Sequence, residues 1–277
     1  MRELTIGKND AGQRLDRFLS KALPLLPPAL AQKYIRIKRV KVNGGRAQRD
    51  QRLSAGDVLQ LYINDEFFDK PSEENLFLTL FKPHLTVVYE DEHLLLADKP
   101  QGMVVHADET EKVNTLINHI QAYLYQKREW NPKWENAFTP ALCNRIDRNT
   151  GGIVIAAKDA ETLRVINEKI RDRELDKRYL CITVGRPRKP EGRVECFLLK
   201  DEQKKQVSVY HKPIPGGKTA ITDYRVLETR GELSLVEIGL ETGRTHQIRA
   251  TMADLGCPLL GDGKYGRGDV NLSLINI

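Results

Sequence analysis

Between Ala141 and Lys158 the chain passes without a spacer from a charged run into an apolar one. Asn144, Arg145, Asp147, Arg148 and Asn149 lead through Thr150 to the paired glycines Gly151-Gly152, and Ile153-Val154-Ile155-Ala156-Ala157 follows at once. The apolar run, rich in β-branched residues, predicts a core strand, so the charged loop must be carried on the end of that strand. Gly151 and Gly152 permit positive φ and close backbone approach, which lets a loop fold tightly over a ligand. Asp147 lies between Arg145 and Arg148. Cations within reach favour the ionised carboxylate, so Asp147 is expected to be an anion at neutral pH. A surface loop with a local ion pair has the same residues; residue types alone leave both readings open.

The charge of the chain is unevenly placed. Residues 1–63 hold 13 basic and 5 acidic residues, a balance of +8, although the whole chain carries only +6. All the excess positive charge therefore sits in the first quarter, as expected of a nucleic-acid-binding module on a near-neutral body. The four cysteines are scattered, with no Cys-x-x-Cys pair, which fits a reducing cytoplasm better than a zinc site or a disulfide framework. No apolar run reaches the roughly 18 residues of a membrane span, and the first residues lack a signal-like apolar region. A soluble cytoplasmic protein is expected.

Taken in order, Arg14 to Ala22 reads as an amphipathic helix with Leu15, Phe18, Leu19 and Ala22 inward. Pro28 suits the first position of a second helix, running to about Ile37. Val40-Lys41-Val42 alternates and turns at Asn43-Gly44-Gly45, and Val58 to Ile63 completes a small β-rich unit. Residues 64–84 read as a linker, acidic at Asp65, Glu66, Asp69, Glu73 and Glu74 and broken at Pro71. Phe67, Phe68, Phe77 and Leu78 imply that part of it docks.

The larger part, residues 85–277, opens with strands at Thr86–Tyr89 and Leu94–Ala97. A helix over Val113–Tyr125 follows, with His119 placed at its surface or boundary. Trp130 and Trp134 lie among Lys127, Arg128 and Lys133, where aromatics can stack on unpaired bases or simply pack. Asp159 is placed to cap a helix reaching about Glu174. Lys177–Gly185 alternates as a strand, Ile221–Leu227 and Leu233–Leu240 form a pair turning at Arg230-Gly231, and a helix spans about Thr245 to Leu255 before Gly256.

Three of these blocks resemble one family. Asn144-Arg145-Ile146-Asp147-Arg148-Asn149-Thr150-Gly151-Gly152 resembles the His-Arg-Leu-Asp-x-x-Thr-Ser-Gly signature of RluA-type RNA pseudouridine synthases, with Asn144, Ile146 and Gly151 departing from it. Lys177-Arg178-Tyr179 resembles the family's second motif, and Leu240 to Arg249, followed by Gly261-Asp262-x-x-Tyr265-Gly266, resembles its third. Lys99-Pro100-Gln101-Gly102 is similar to the family's first motif. Residues 12–63 resemble the small RNA-binding module of ribosomal protein S-four. The sequence ends at Asn271–Ile277, short of the further strand or two that relatives usually carry.

The resemblance implies an α+β chain. A small α/β RNA-binding domain precedes a catalytic domain built on a mixed, mostly antiparallel sheet flanked by helices. It implies isomerisation of uridine to pseudouridine, with Asp147 as catalytic carboxylate, Tyr179 lining the uracil pocket and Arg249 ion-paired with Asp147. Arg145, Arg148, Thr150, Lys99 and Ile248 are then expected at the substrate, with Arg145 entering the space the flipped base leaves. For Lys99 a turn-flanking role beside the site stands as the alternative. His246 is assigned a structural hydrogen bond. Lys33, Arg36, Lys38, Arg39 and Lys41 are expected on phosphates, which position an RNA without reading it. The expected partner is RNA, ribosomal first and transfer RNA second, bound by a monomer away from membranes and with neither cofactor nor metal. Two other classes stand against this reading. A glycosidase-like hydrolase needs a second carboxylate, for which only Glu241 and Asp262 offer themselves. A non-catalytic RNA-binding or ribosome-assembly factor needs only the basic module. Phosphate-loop and dinucleotide glycine patterns are absent from the sequence.

Overall fold

Short alternating segments joined by glycine turns give antiparallel ladders, and every strand ladder in this chain is antiparallel among the described residues. The computed structural model describes residues 1–68 and 76–266. The linker positions Asp69, Pro71, Glu73 and Glu74 and the terminal Asn271–Ile277 lie outside the described residues. The chain divides into two compact units, residues 1–169 and 170–277.

The first unit opens with β1 (Arg2–Thr5), α1 (Leu15–Ala22), α2 (Pro28–Arg36), β2 (Val40–Val42), β3 (Gly45–Arg46) and β4 (Val58–Leu61). These strands form a sheet in the order β1-β4-β2-β3. Leu15, Phe18, Leu19 and Ala22 are all buried on α1 as their spacing predicts, and Pro28 occupies the first turn of α2, where its missing N–H has no partner to lose. Asn43 and Gly44 join β2 to β3 with φ of 49° and 75°, the two positive values a type I′ hairpin requires. The aromatic residues of the linker dock as anticipated. Phe67 and Phe68 pack on this core, and Phe77 is buried with its ring 5.2 Å from that of Trp130.

A second sheet in the same unit comprises β5 (Thr86–Glu90), β6 (Leu94–Lys99), β7 (Ala141–Leu142) and β8 (Gly152–Ala157), in the order β5-β6-β8-β7. α3 (Leu116–Gln126) lies between β6 and β7 in sequence, and α4 (Ala160–Arg171) follows β8. β8 is the apolar run after the charged loop. Val154, Ala156 and Ala157 are fully buried, but Ile153 is 46% exposed, so the strand covers only one face completely. α3 starts at Leu116 rather than Val113, because Thr115 caps it by accepting from the N–H of Asn118. His119 is buried rather than at the surface, its Nδ1 accepting from the N–H of His84 at 3.1 Å and its Nε2 2.6 Å from Asn114 Oδ1. Asp159 caps α4 through the N–H of Thr162 at 2.7 Å, and the helix ends at Arg171, short of Glu174.

The second unit is a five-stranded sheet of β9 (Arg178–Val184), β10 (Glu191–Asp201), β11 (Gln206–Tyr210), β12 (Lys218–Arg230) and β13 (Leu233–Leu240), ordered β11-β10-β12-β13-β9. α5 (Gln247–Asp254) places Ala250 against Cys196, Leu198, Val207 and Ala220 of β10, β11 and β12. The helix begins two residues later than expected, because His246 has a left-handed φ of 53°. No helix among the described residues is long and apolar enough to cross a membrane.

Candidate active site

The Asp147 loop is tied down at both ends before any substrate arrives. At its start, Cys143 donates its N–H to Ile155 O at 2.8 Å. Asn144 then uses its amide on β8, Oδ1 accepting from Ile155 N at 2.8 Å and Nδ2 reaching Ile153 O at 3.4 Å. The residue standing where the family pattern has His therefore supplies the hydrogen bonds that hold the loop entry. Ile146 points inward, and a tight turn follows in which Thr150 N donates to Asp147 O at 3.1 Å. Of the glycine pair, only Gly152 has a positive φ, at 123°; Gly151 lies close over the backbone of Lys99 and Gln101.

Lys99, at the end of β6, is completely buried. Its ammonium donates to the carbonyls of Pro100 at 2.9 Å, Met103 at 2.8 Å and Arg148 at 3.0 Å. Three donors meet three acceptors, leaving no N–H for a phosphate. Of the two roles open to Lys99, this geometry fits the structural one and corrects the expectation of direct substrate contact. Burial pushes the ammonium pKa down, while the nearby Asp147 carboxylate opposes that shift.

Arg148 is fixed on its other side. Its guanidinium reaches Asp108 Oδ2 at 3.0 Å and Thr110 Oγ1 at 2.6 Å. The Thr110 hydroxyl, the N–H groups of Thr110 and Glu111, and Arg148 hold the Asp108 carboxyl far below the usual range. Arg148 is thus an ion-pair partner of Asp108 rather than of its neighbour Asp147. Arg145 is exposed, and it adds to burial in lowering the pKa of His106.

In the second unit, Tyr179 lies on β9 opposite Ile238 of β13. Tyr179 and Ile248 pack against one cluster of Tyr224, Val236, Ile238, Met252 and Cys257. The turn before α5 is held by Gln247, which is buried. Its Oε1 accepts from Thr242 Oγ1 at 2.8 Å and Arg244 N at 3.0 Å, while its Nε2 donates to Ile221 O and Thr222 Oγ1, each at 3.0 Å. Arg249, two residues further along α5, grips Asp262 with Nε at 2.7 Å and Nη2 at 2.8 Å, and its guanidinium lies 5.2 Å from the ring centroid of Tyr265. The carboxylate held bidentately is therefore Asp262, a partner that sequence reasoning missed. Two of five N–H donors are used in that grip. His246 makes a structural hydrogen bond, Nδ1 to Tyr265 Oη at 2.9 Å.

The same geometry bears on the hydrolase alternative. Burial pushes the Asp262 carboxyl up, but the Arg249 bonds and the N–H groups of Lys264 and Tyr265 outweigh it and leave the pKa lowered. Glu241 is lowered chiefly by Arg193. Both carboxylates stay ionised at neutral pH, which unsuits them as the general acid of a glycosidase.

On the basic module, Lys33 and Arg36 project from α2 into a groove also lined by Arg46, Gln48 and Arg49. Arg39 lies over the ring of Tyr34 at 5.4 Å and Lys41 over that of Tyr62 at 5.5 Å, while Lys38 is exposed at a positive φ of 64°. Arg46 and Arg49 escaped the sequence reading; the +8 balance of residues 1–63 was their only signal. The tryptophans separate cleanly. Trp130 is 3% exposed, with its indole N–H on Phe138 O, and Trp134 is 68% exposed.

Comparison with known proteins identifies the family of the chain. The RNA pseudouridylate synthase family pattern matches residues 93–254, and the S4 domain pattern matches residues 13–59. The chain belongs to the RNA pseudouridylate synthase family. It is an RNA pseudouridine synthase, an isomerase, with an amino-terminal S4 domain. It is 31% identical over 284 residues to ribosomal large subunit pseudouridine synthase D of Borreliella burgdorferi, covering 100% of this chain and 82% of the relative. It is also 31% identical to ribosomal large subunit pseudouridine synthase C of Rickettsia prowazekii, over 93% and 83% of the two chains. Human RNA pseudouridylate synthase domain containing 4 superposes with a TM-score of 0.55 at 26% identity, covering 66% of this chain and 70% of the other.

Proposed function

We propose that this synthase acts on structured ribosomal RNA of the large subunit, with Asp147 as its catalytic carboxylate. Relatives named for that subunit support the substrate class; transfer RNA is the second candidate. Residues 1–63 serve as the RNA-binding arm, 64–84 as the connection and 85–277 as the catalytic part of a cytoplasmic monomer. The observation that carries the catalytic assignment is the Lys99–Arg148 bond beside Asp147. It pre-aligns the backbone of the loop, so the carboxylate meets its substrate without reordering the chain.

The chemistry asks for little more. The N1–C1′ bond of a uridine breaks, the base turns, a C5–C1′ bond forms, and the C5 proton leaves while N1 gains one. The isomerisation is redox-neutral and needs no electron carrier. Asp147 stands to act at the anomeric carbon or on a ribose proton, and Tyr179 to stack on the base. Arg249 supplies a guanidinium whose orientation Asp262 fixes. The family resemblance assigns Thr150 and Ile248 to the target, and Arg145, exposed at the loop, to the gap left by the flipped base. A base inside a helix must leave its stack for these groups to reach it.

The test is a map of pseudouridine across ribosomal and transfer RNA from cells that carry the wild-type chain, lack it, or carry Asp147→Ala alone. Loss of the same site in the null and in Asp147→Ala names the substrate and supports the aspartate. Full modification by Asp147→Ala would remove Asp147 from the mechanism.

A further inference from the structure

A buried carboxylate outside the active site ties the RNA-binding arm to the catalytic sheet. Asp10 lies in the loop between β1 and α1, with no exposure to solvent. Its Oδ1 accepts from the N–H groups of Ala137 at 3.1 Å and Phe138 at 2.7 Å, and its Oδ2 accepts from Asn136 at 3.2 Å. Three successive amides of the segment leading into β7 thus converge on one side chain of the arm. A carboxylate buried this way is costly unless such donors satisfy it, so the two parts complete each other. The contact is broader than one residue. Asn9 Nδ2 donates to Glu135 Oε1 at 2.7 Å, and Asn136 Nδ2 returns a bond to Thr5 O at 2.8 Å. Ala160, the first residue of α4, donates its N–H to Asn9 O at 3.0 Å. Gly12, at a φ of 79°, lets the loop approach α4 so closely that an added Cβ would lie 3.0 Å from Glu161 Cβ.

We propose that Asp10 is a positioning residue that makes residues 1–63 a fixed arm on the sheet carrying Asp147. A tethered arm would let any uridine within the reach of a flexible connection visit the site. An arm fastened here holds bound RNA phosphates at one span from Asp147, and only a folded RNA presenting a uridine at that span is modified efficiently. Asp10 touches neither the Asp147 loop nor the Lys33–Arg36 groove, so it acts on the substrate through the arm's orientation. The consequence for RNA rests on the enzyme reading above; the fastening itself does not.

The test uses the full chain with Asp10→Ala and, as a milder change, the pair Asn9→Ala with Asn136→Ala. Hydrogen exchange at the amides of Asn136, Ala137 and Phe138 should accelerate at least tenfold in Asp10→Ala, while β6 and β8 amides keep their protection. On an unmodified large-subunit ribosomal RNA transcript, KM should rise several-fold with kcat little changed, and new uridines should appear in the pseudouridine map. A merely structural role would lower active enzyme without changing which uridines react. Unchanged exchange at 136–138 would overturn the fastening. Lost protection with an unchanged KM and site pattern in both variants would overturn its role in substrate choice. If Asp10→Ala fails to fold, the double variant decides both points. A wild-type chain that forms no pseudouridine in the transcript would count against the substrate reading, and the exchange measurement would still decide the fastening.

Discussion

The ammonium of Lys99 donates to the main-chain oxygen of Arg148, one residue past Asp147, at 3.0 Å. Lys99→Met removes this bond and two others, to the carbonyls of Pro100 and Met103, while keeping most of the side-chain volume. Losing charge-assisted bonds in a buried setting costs about 2–4 kcal/mol. The expected outcome is a lower melting temperature together with a fall in kcat that exceeds any change in RNA affinity. Thermal unfolding and single-turnover kinetics on one RNA check it. An RNA affinity that falls while kcat stands would return Lys99 to the substrate.

Asn144 holds the opposite end of the same loop through Ile155 and Ile153. Asn144→Ala leaves the N–H of Ile155 without its side-chain acceptor, at a cost of about 1–2 kcal/mol, and should lower kcat more than it raises KM. Asn144→His retains an acceptor and should recover part of both. Melting curves and kinetics of the two variants, measured side by side, check the order.

What the sequence made legible was local. The switch from charge to apolar residues at Gly152 marked the loop and its strand, and the spacing of Leu15, Phe18, Leu19 and Ala22 marked α1. β10 and β11 escaped because Glu191, Arg193, Glu195 and Lys200 interrupt the apolar pattern, and only Cys196 and Leu198 of that strand are fully covered. Asp10 escaped for a different reason. In Gly7-Lys8-Asn9-Asp10-Ala11-Gly12 it looks like a turn residue, and the backbone amides it accepts from lie 126 or more positions away. Asp262 was legible as a residue of the third block but not as the carboxylate of Arg249, since only folding brings residues 13 positions apart into a bidentate pair.

Asp262 is almost wholly covered and Arg249 about a quarter exposed. Asp262→Asn keeps an acceptor but removes the charge, weakening the bidentate grip on a largely buried guanidinium. Breaking a buried pair costs about 3–5 kcal/mol, and the partial exposure of Arg249 should bring the loss nearer 2–3 kcal/mol. The wild-type pair also predicts the sign of an acid effect. The Asp262 pKa is lowered on folding, so its contribution is complete above the ordinary carboxylate range and is lost as pH falls through the lower folded value. Denaturant melts of wild type and Asp262→Asn should therefore converge in acid.

Lys33 and Arg36 share one groove with Arg46 and Arg49. Each phosphate contact releases counterions, so Lys33→Ala or Arg36→Ala should weaken RNA binding at every sequence tested alike. Each should also flatten the salt dependence by about one contact, roughly 0.7–0.9 in the slope of log K against log salt. Filter binding from low to moderate salt measures both quantities. A change confined to one RNA sequence would mean that these side chains read bases.

His119 supplies a separate pH test. Its Nδ1 accepts the N–H of His84, so the ring proton belongs on Nε2, facing Asn114 Oδ1, and a second proton would break the His84 bond. Burial, with a smaller contribution from His84, lowers the His119 pKa. The unfolded chain therefore takes up this proton first as pH falls, and the contribution of neutral His119, complete above an unfolded value of about 6.5, declines below it. His106 is lowered by burial as well. His93 opposes both, because its bond to Asp159 raises its pKa, so its contribution is present below the unfolded value and lost as pH rises through the folded one. His119→Gln can accept from His84 and cannot titrate. Between pH 8 and 5 the melting temperature of wild type should fall more steeply than that of His119→Gln; parallel curves would mean that the buried ring tolerates the second proton.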